Sequence, residues 1–191
     1  MAEGELVTLK GRREALEALA RGLTRFGPSI GQPEWLVSAV WLCAGDQAYL
    51  ATASVEVLPD GFVARSLCIG NPSDLASHLE TELPNLSAHL LARGNGMDLP
   101  APAAMEPPQS LEPWTDESYA THVLMRISRR ASCTHRVTCG LRFTCEDGRS
   151  LLVGTDPSIL AMVLSEDPEL IGRYCEDCEA LTPAEYLALP G

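Results

Sequence analysis

Residues 65–73 read RSLCIGNPS, and residues 149–158 read RSLLVGTDPS. In each stretch an apolar strand-like run ends in glycine, followed by an N-cap type residue and a proline suited to the first turn of a helix. Just before each lies a hairpin signal, Asp60-Gly61 and Asp147-Gly148. The correspondence continues beyond the quoted residues. Leu75-Ala76 matches Leu160-Ala161, Leu79 matches Leu164, and Pro84 with Leu86 matches Pro168 with Leu170. The offset is 84 residues (149 minus 65), with one extra residue beside Asp156. Matches in order across turn, strand, cap and helix predict an internal duplication.

Working outward from these stretches, each half gains two more strands. Trp35 to Cys43 is almost continuously apolar, and Ala48 to Leu58 includes the alternating Val55 and Val57. A helix from Asn71-Pro72 is expected to carry Leu75, Ala76, Leu79 and Leu83 on one face. In the second half, Tyr119 to Ser128 and Arg136 to Thr144 read as strands, and Ser150 to Val153 as a third. Asp156-Pro157 should start a helix through about Glu166, with Pro168 as an interruption before Leu170, Ile171 and Tyr174. An N-terminal helix is predicted from Lys10 to Phe26, where Leu16, Leu19, Leu23 and Phe26 recur at helical spacing. Thr182-Pro183-Ala184-Glu185 has capping-box spacing and predicts a short C-terminal helix.

The expected fold is therefore α+β: two pseudo-repeated β-β-β-α halves with mainly antiparallel sheet, plus the two terminal helices. Residues 1–96 form the first half and 114–191 the second. The proline-rich tract 97–113 reads as a linker. The halves could also make one compact pseudo-dimeric domain, with a groove between them.

Bulk composition narrows the function. The chain has 191 residues, 46% of them hydrophobic, and a formal net charge of −12. Its pI is about 4.7 and its mean hydropathy +0.02. Such a chain can bury a core, and its acidity disfavours nucleic-acid backbones and anionic membrane surfaces as partners. The first twenty residues carry Glu3, Glu5, Lys10, Arg12, Arg13, Glu14 and Glu17 and no apolar core of a secretory signal. The apolar run Leu36–Ala44 is far shorter than the ~20 residues that span a bilayer. Seven cysteines, an odd number, point to reduced thiols in a cytoplasmic setting and not to a disulfide framework.

Several residues could carry chemistry. Cys175 and Cys178 form a Cys-x-x-Cys motif, but the intervening Glu176-Asp177 and the position late in a helix should raise thiol pKa values, against redox catalysis. A zinc site could draw on Cys133, His135, Cys175 and Cys178, with Cys139 as an alternative ligand; a single Cys-x-x-Cys is weak support, and no metal or other cofactor is expected. The histidines His78, His89, His122 and His135 belong to no hydrolase or metalloprotease motif. Gly70-Asn71 and Gly154-Thr155-Asp156 could face an anion at strand–helix junctions, although capping accounts for both.

Charge is unevenly distributed. From His122 to Arg149 there are six arginines against Glu146 and Asp147. From Asp156 to Glu185 there are eight carboxylates against Arg173. Arg126, Arg129, Arg136 and Arg142, with Arg130, are expected to face outward and contact another protein, unless they satisfy the acidic C-terminal segment internally. The functional expectation is a non-catalytic, bacterial-type protein-interaction module, accessory, chaperone-like or immunity-like. The alternatives are a small-ligand binder or enzyme using the groove between the halves, and a zinc-stabilised module.

Overall fold

A computed structural model describes residues 5–7, 10–11, 13–28, 39–72, 111–114, 122–132, 135–156, 162–182 and 185. In chain order the elements are β1 (Glu5–Val7), β2 (Lys10–Gly11), α1 (Arg13–Arg21), β3 (Arg25–Pro28), β4 (Val40–Ala44), β5 (Gln47–Val57) and β6 (Val63–Gly70). There follow β7 (Glu112–Pro113), β8 (His122–Arg130), β9 (His135–Cys145), β10 (Ser150–Thr155), β11 (Met162–Ser165), α2 (Pro168–Cys175) and β12 (Cys178–Leu181). The described residues thus hold two helices and are mostly strand, in a mixed α+β arrangement.

Two mainly antiparallel sheets result. One has the order β2-β6-β5-β4-β3-β7; the other runs β11-β10-β9-β8-β12, with β1 alongside β9. Both contain a three-strand meander, β4-β5-β6 and β8-β9-β10, as the hairpin signals predict. Gly45, Gly61 and Gly148 stand at the meander turns with φ of 61°, 80° and 89°, where a side chain would be strained. The helical equivalence of the halves is a different matter. Pro72 is helical, but the rest of the helix expected after it lies outside the described residues. So do residues 157–161, 97–110, the strand start at Trp35 and the body of the C-terminal helix.

The sheets share one core. Val40, Leu42, Tyr49, Ala51, Leu67 and Ile69 come from the first sheet, and Leu124, Leu141, Phe143, Cys145, Leu151 and Val153 from the second. Helix α1 adds Ala15, Leu16, Ala18 and Leu19 to the same cluster, so its polar side carries the exposed Arg13 and Glu14. Period two sends the alternate residues of the first sheet elsewhere: Ala39, Trp41, Cys43, Leu50 and Cys68 form a second cluster with Leu111. The N-terminal segment stitches the layers, since β1 pairs in parallel with β9 and β2 in parallel with β6.

Four local details differ from the sequence pattern. Helix α1 ends at Arg21, not Phe26, because Thr24 bonds the Cys43 carbonyl through both its amide (2.7 Å) and its hydroxyl (3.1 Å). That starts β3, which pairs Phe26 with Leu42 and turns the Phe26 ring edge-on to Trp114 at 5.8 Å. Within the tract read as linker, Glu112–Pro113 is a strand that pairs with β3. The segment Met162–Ser165, expected to be helical, is strand β11 and pairs Leu152 with Ser165 through Thr155 with Met162. An open edge of β10 offers a row of backbone partners that local helical propensity does not outweigh. Pro168 is then not an interruption but the first turn of α2, whose N-cap Asp167 accepts the Glu169 amide at 2.9 Å.

Helix α2 is anchored by one side chain. The Tyr174 hydroxyl lies 2.8 Å from the Cys139 carbonyl and 3.0 Å from the Thr155 carbonyl, which share its one proton. Its ring occupies the space where a side chain would stand on Gly154, and a Cβ on Gly140, the partner of Gly154 across β9 and β10, would meet the Val153 carbonyl at 3.1 Å. A Cβ on Gly154 would come within 2.5 Å of the Tyr174 hydroxyl. Gly154→Ala is therefore expected to lower unfolding free energy by ~1–3 kcal/mol, as overpacking does. Phe143→Ala, in the shared core, should cost ~3–5 kcal/mol. Denaturant unfolding of both variants checks the two values and their order.

Candidate functional site

Strand β12 aligns on β8 so that Cys178 stands opposite Arg129 and Leu181 opposite Arg126. This pairing gathers two features that are remote in sequence, the arginines of β8 and β9 and the Cys-x-x-Cys motif. Strand β9 contributes Cys139 through an irregularity. The β8–β9 register passes from Ile127 with Gly140 to Ser128 with Thr138, leaving Cys139 as the extra residue of a bulge. Its thiol donates to the Ile127 carbonyl at 3.5 Å.

The electrostatics of the cluster separate the three thiols. Cys178 is pulled down to about 6, first by the neighbouring Cys139 thiol and then by the charge of Arg129, with Arg136 adding to it against the cost of burial. Cys139 moves up, through its proximity to Cys178 and through burial. Cys175 also moves up, chiefly by burial and then by the charge on Cys178, with Arg142 and Arg129 opposing. The expectation that the acidic dipeptide leaves both motif thiols raised is thus corrected for Cys178. Glu176 and Asp177 are exposed to solvent, whereas Arg129 is fixed beside the sulfur.

Arg129 is itself held in place. It donates to the Tyr174 carbonyl at 3.2 Å, and its guanidinium lies 4.8 Å from the Tyr174 ring centre. Cys178, when protonated, donates to the same carbonyl at 3.3 Å. Arg136 pairs with Glu179 at 3.1 Å and donates to the Ser128 carbonyl, and Arg142 donates to Ser150. Arg126 is only 3% exposed. The expectation that these arginines point outward is therefore corrected. Arg126 is buried, Arg129 and Arg136 are half-buried against the fold's own C-terminal segment, Arg142 is half-buried against Ser150 of β10, and Arg130 alone of the five is exposed.

The residues considered for zinc divide. His135 turns its Nδ1 to Asp60 (3.3 Å) and Ser132 (3.4 Å), and Ser132 donates to Asp60. Cys175 and Cys178 lie in the other cluster, and Cys133 is outside the described residues. Among the described residues, no three His, Cys, Asp or Glu side chains gather as a metal set. The Asp60, Ser132 and His135 triangle lacks a nucleophile relay as well, because serine and aspartate both meet the same ring nitrogen and also each other. It ties the β5–β6 hairpin tip to the start of β9. Gly70-Asn71 and Gly154-Thr155-Asp156 stay at strand ends, with the Tyr174 side chain over Gly154.

The fold and its site thus define a two-sheet α+β protein with a thiol–arginine cluster where β12, β8, β9 and α2 meet. Comparison with protein-family models, with curated proteins and with solved structures gives no match for this chain.

The cluster makes stability depend on pH. Because the folded-state value of Cys178 lies below its ordinary 9.0, its contribution is fully present above pH 9 and lost as pH falls through about 6. Cys139, shifted upward, acts in the opposite sense above pH 9. Iodoacetamide alkylation of Cys178 is expected to show a midpoint near pH 6. Arg129→Gln should move it upward, and a Cys178→Ser variant should lose the rise in stability between pH 6 and 9.

Proposed function

We propose that this chain works by binding another protein, in an accessory, chaperone-like or immunity-like role. The observation that carries the reading is an apolar patch at the β5–β6 hairpin, where Val57 is 44%, Phe62 58% and Val63 40% exposed. Val57 and Val63 are register partners, and Phe62 adjoins them. Clustered exposed apolar residues on a rigid turn are a common mark of a contact surface. The turn is rigid because Asp60 binds both Ser132 and His135. Arg130 extends the surface with an exposed cation at the neighbouring β8–β9 end, which suits a partner presenting apolar and acidic groups.

We further infer that the two meanders derive from one duplicated unit. Leu67 and Ile69 match Leu151 and Val153 in sequence, and all four enter the shared core from opposite sheets. Ser66 and Ser150, also matched, are both buried. The odd number of cysteines supports a reducing compartment, the cytoplasm, as the site of action. A second reading, chemistry at the thiol cluster, is favoured by Arg129 beside Cys178.

The test of the binding reading is quantitative capture by the intact chain, followed by mass spectrometry, against a Phe62→Asp and Val63→Asp double variant. The variant is expected to keep its thermal midpoint, since exposed substitutions cost little. It should lose about tenfold or more of a specific captured protein, the scale expected when hot-spot contacts go. Equal capture by both proteins overturns this site.

A further inference from the structure

We propose that Cys178 is an oxidant-reactive nucleophile which, after attack on a hydroperoxide, closes a disulfide with Cys175, with Arg129 as the positioning residue. The inference does not rest on the protein-binding reading; it uses a different part of the molecule.

The geometry first sets Cys178 apart as the nucleophile. It stands opposite Arg129, and its sulfur and the Arg129 guanidinium meet the same Tyr174 carbonyl at 3.3 and 3.2 Å, while both Cys175 and Cys178 are only partly buried. A sulfur beside a cation, with access to solvent, is the reactive type of cysteine, whereas Cys43, Cys68, Cys139 and Cys145 are buried. The groups facing it come from every neighbouring element: Arg129 on β8, Cys139 and Arg136 on β9, and Tyr174 and Cys175 on α2.

The choice of resolving cysteine follows from backbone spacing. A disulfide needs Cα atoms roughly 4.4–6.8 Å apart. Cys139 and Cys178 sit on β9 and β12, the two strands that flank β8. Two strand spacings of about 4.8 Å separate their backbones by about 10 Å. That separation is beyond the span of a disulfide, so a covalent bond there would require a strand to move. Cys175 and Cys178 instead close a four-residue turn between the end of α2 and the start of β12, and the ends of such a turn lie within about 7 Å. Cys175 is therefore the partner within reach.

The chemistry balances without further components. The Cys178 thiolate attacks the distal oxygen of the hydroperoxide and breaks the O–O bond. This gives Cys178–S–OH and an alkoxide or hydroxide that takes a proton from water. The Cys175 thiol then attacks that sulfur, forms the S–S bond and releases water. Two electrons pass from the two thiols to the peroxide. Exposed Glu176 and Asp177 flank the site, so a small neutral hydroperoxide is favoured over an anionic oxidant.

The test exposes the reduced full chain to stoichiometric hydrogen peroxide and maps products by mass spectrometry. Tryptic cleavage after Arg173 places both cysteines in peptide 174–191. Wild type should lose two hydrogens within that peptide. Cys175→Ser should instead accumulate a sulfenic acid at Cys178, trapped by dimedone. Cys178→Ser should leave Cys175 reduced. Arg129→Gln should still form the 175–178 bond but oxidise about fivefold more slowly at neutral pH, since a smaller thiolate fraction is only partly offset by greater intrinsic nucleophilicity. Its alkylation midpoint should also rise, a shift that a purely structural role would not give. A disulfide mapped between Cys139 and Cys178, or oxidation of Cys175 at the wild-type rate in Cys178→Ser, overturns the proposal. So does a wild-type rate no greater than that of an unstructured peptide 174–191.

Discussion

The apolar contact between the two sheets is the constraint on which the rest of the structure depends. Leu67 and Ile69 of β6, Leu141 and Phe143 of β9, and Leu151 and Val153 of β10 are all fully buried in one cluster. Neither sheet could bury that face alone in a chain of this size. With the sheets fixed face to face, α1 has a defined slot beside them, and the β1–β2 segment can pair with β9 in one layer and β6 in the other. The opposite surface of the second sheet is then free to receive α2.

That surface prepares the chemistry. Gly154 opens a space that the Tyr174 ring fills. The Tyr174 hydroxyl, shared between two carbonyls, sets the position of α2, and the turn after the helix delivers Cys178 to the edge of β8. Arg129 stacks on the same tyrosine and meets the same cysteine. One aromatic side chain thus couples helix placement to the ionisation of a thiol. The protein-contact surface draws on another device, the Asp60 bridge that stiffens the apolar hairpin. The two regions use separate residues, so each can be altered without disturbing the other's contacts.

The basic strands and acidic C-terminal segment show how charge segregation in sequence becomes pairing in space. Arg136 meets Glu179, although the pair is partly solvated and adds on the order of 1 kcal/mol or less. Its structural value lies in the register of β12 on β8 more than in energy. The same alignment lowers the thiol of Cys178 through a cation that belongs to a strand 49 residues earlier (178 minus 129).

The sequence by itself determined what neighbouring residues decide among themselves. The turns at Gly45, Gly61 and Gly148 need glycine's freedom, the two meanders follow from alternation around them, and the Glu185 carboxylate accepts the Thr182 amide at 2.7 Å, one half of the predicted capping box. It also carried the mainly antiparallel α+β character. Tertiary structure decided everything that rests on distant partners. Phe26 left a helical pattern to pair with Leu42, and Leu164 left one to pair with Val153. The bulge turned the Cys139 thiol to the Ile127 carbonyl, and β12 brought Cys178 opposite Arg129. Periodicity and capping report free energies confined to about a turn of chain, whereas an open strand edge or a cation across a sheet acts through space. Nothing in the residues beside Cys178 encodes the arginine that stands across from it.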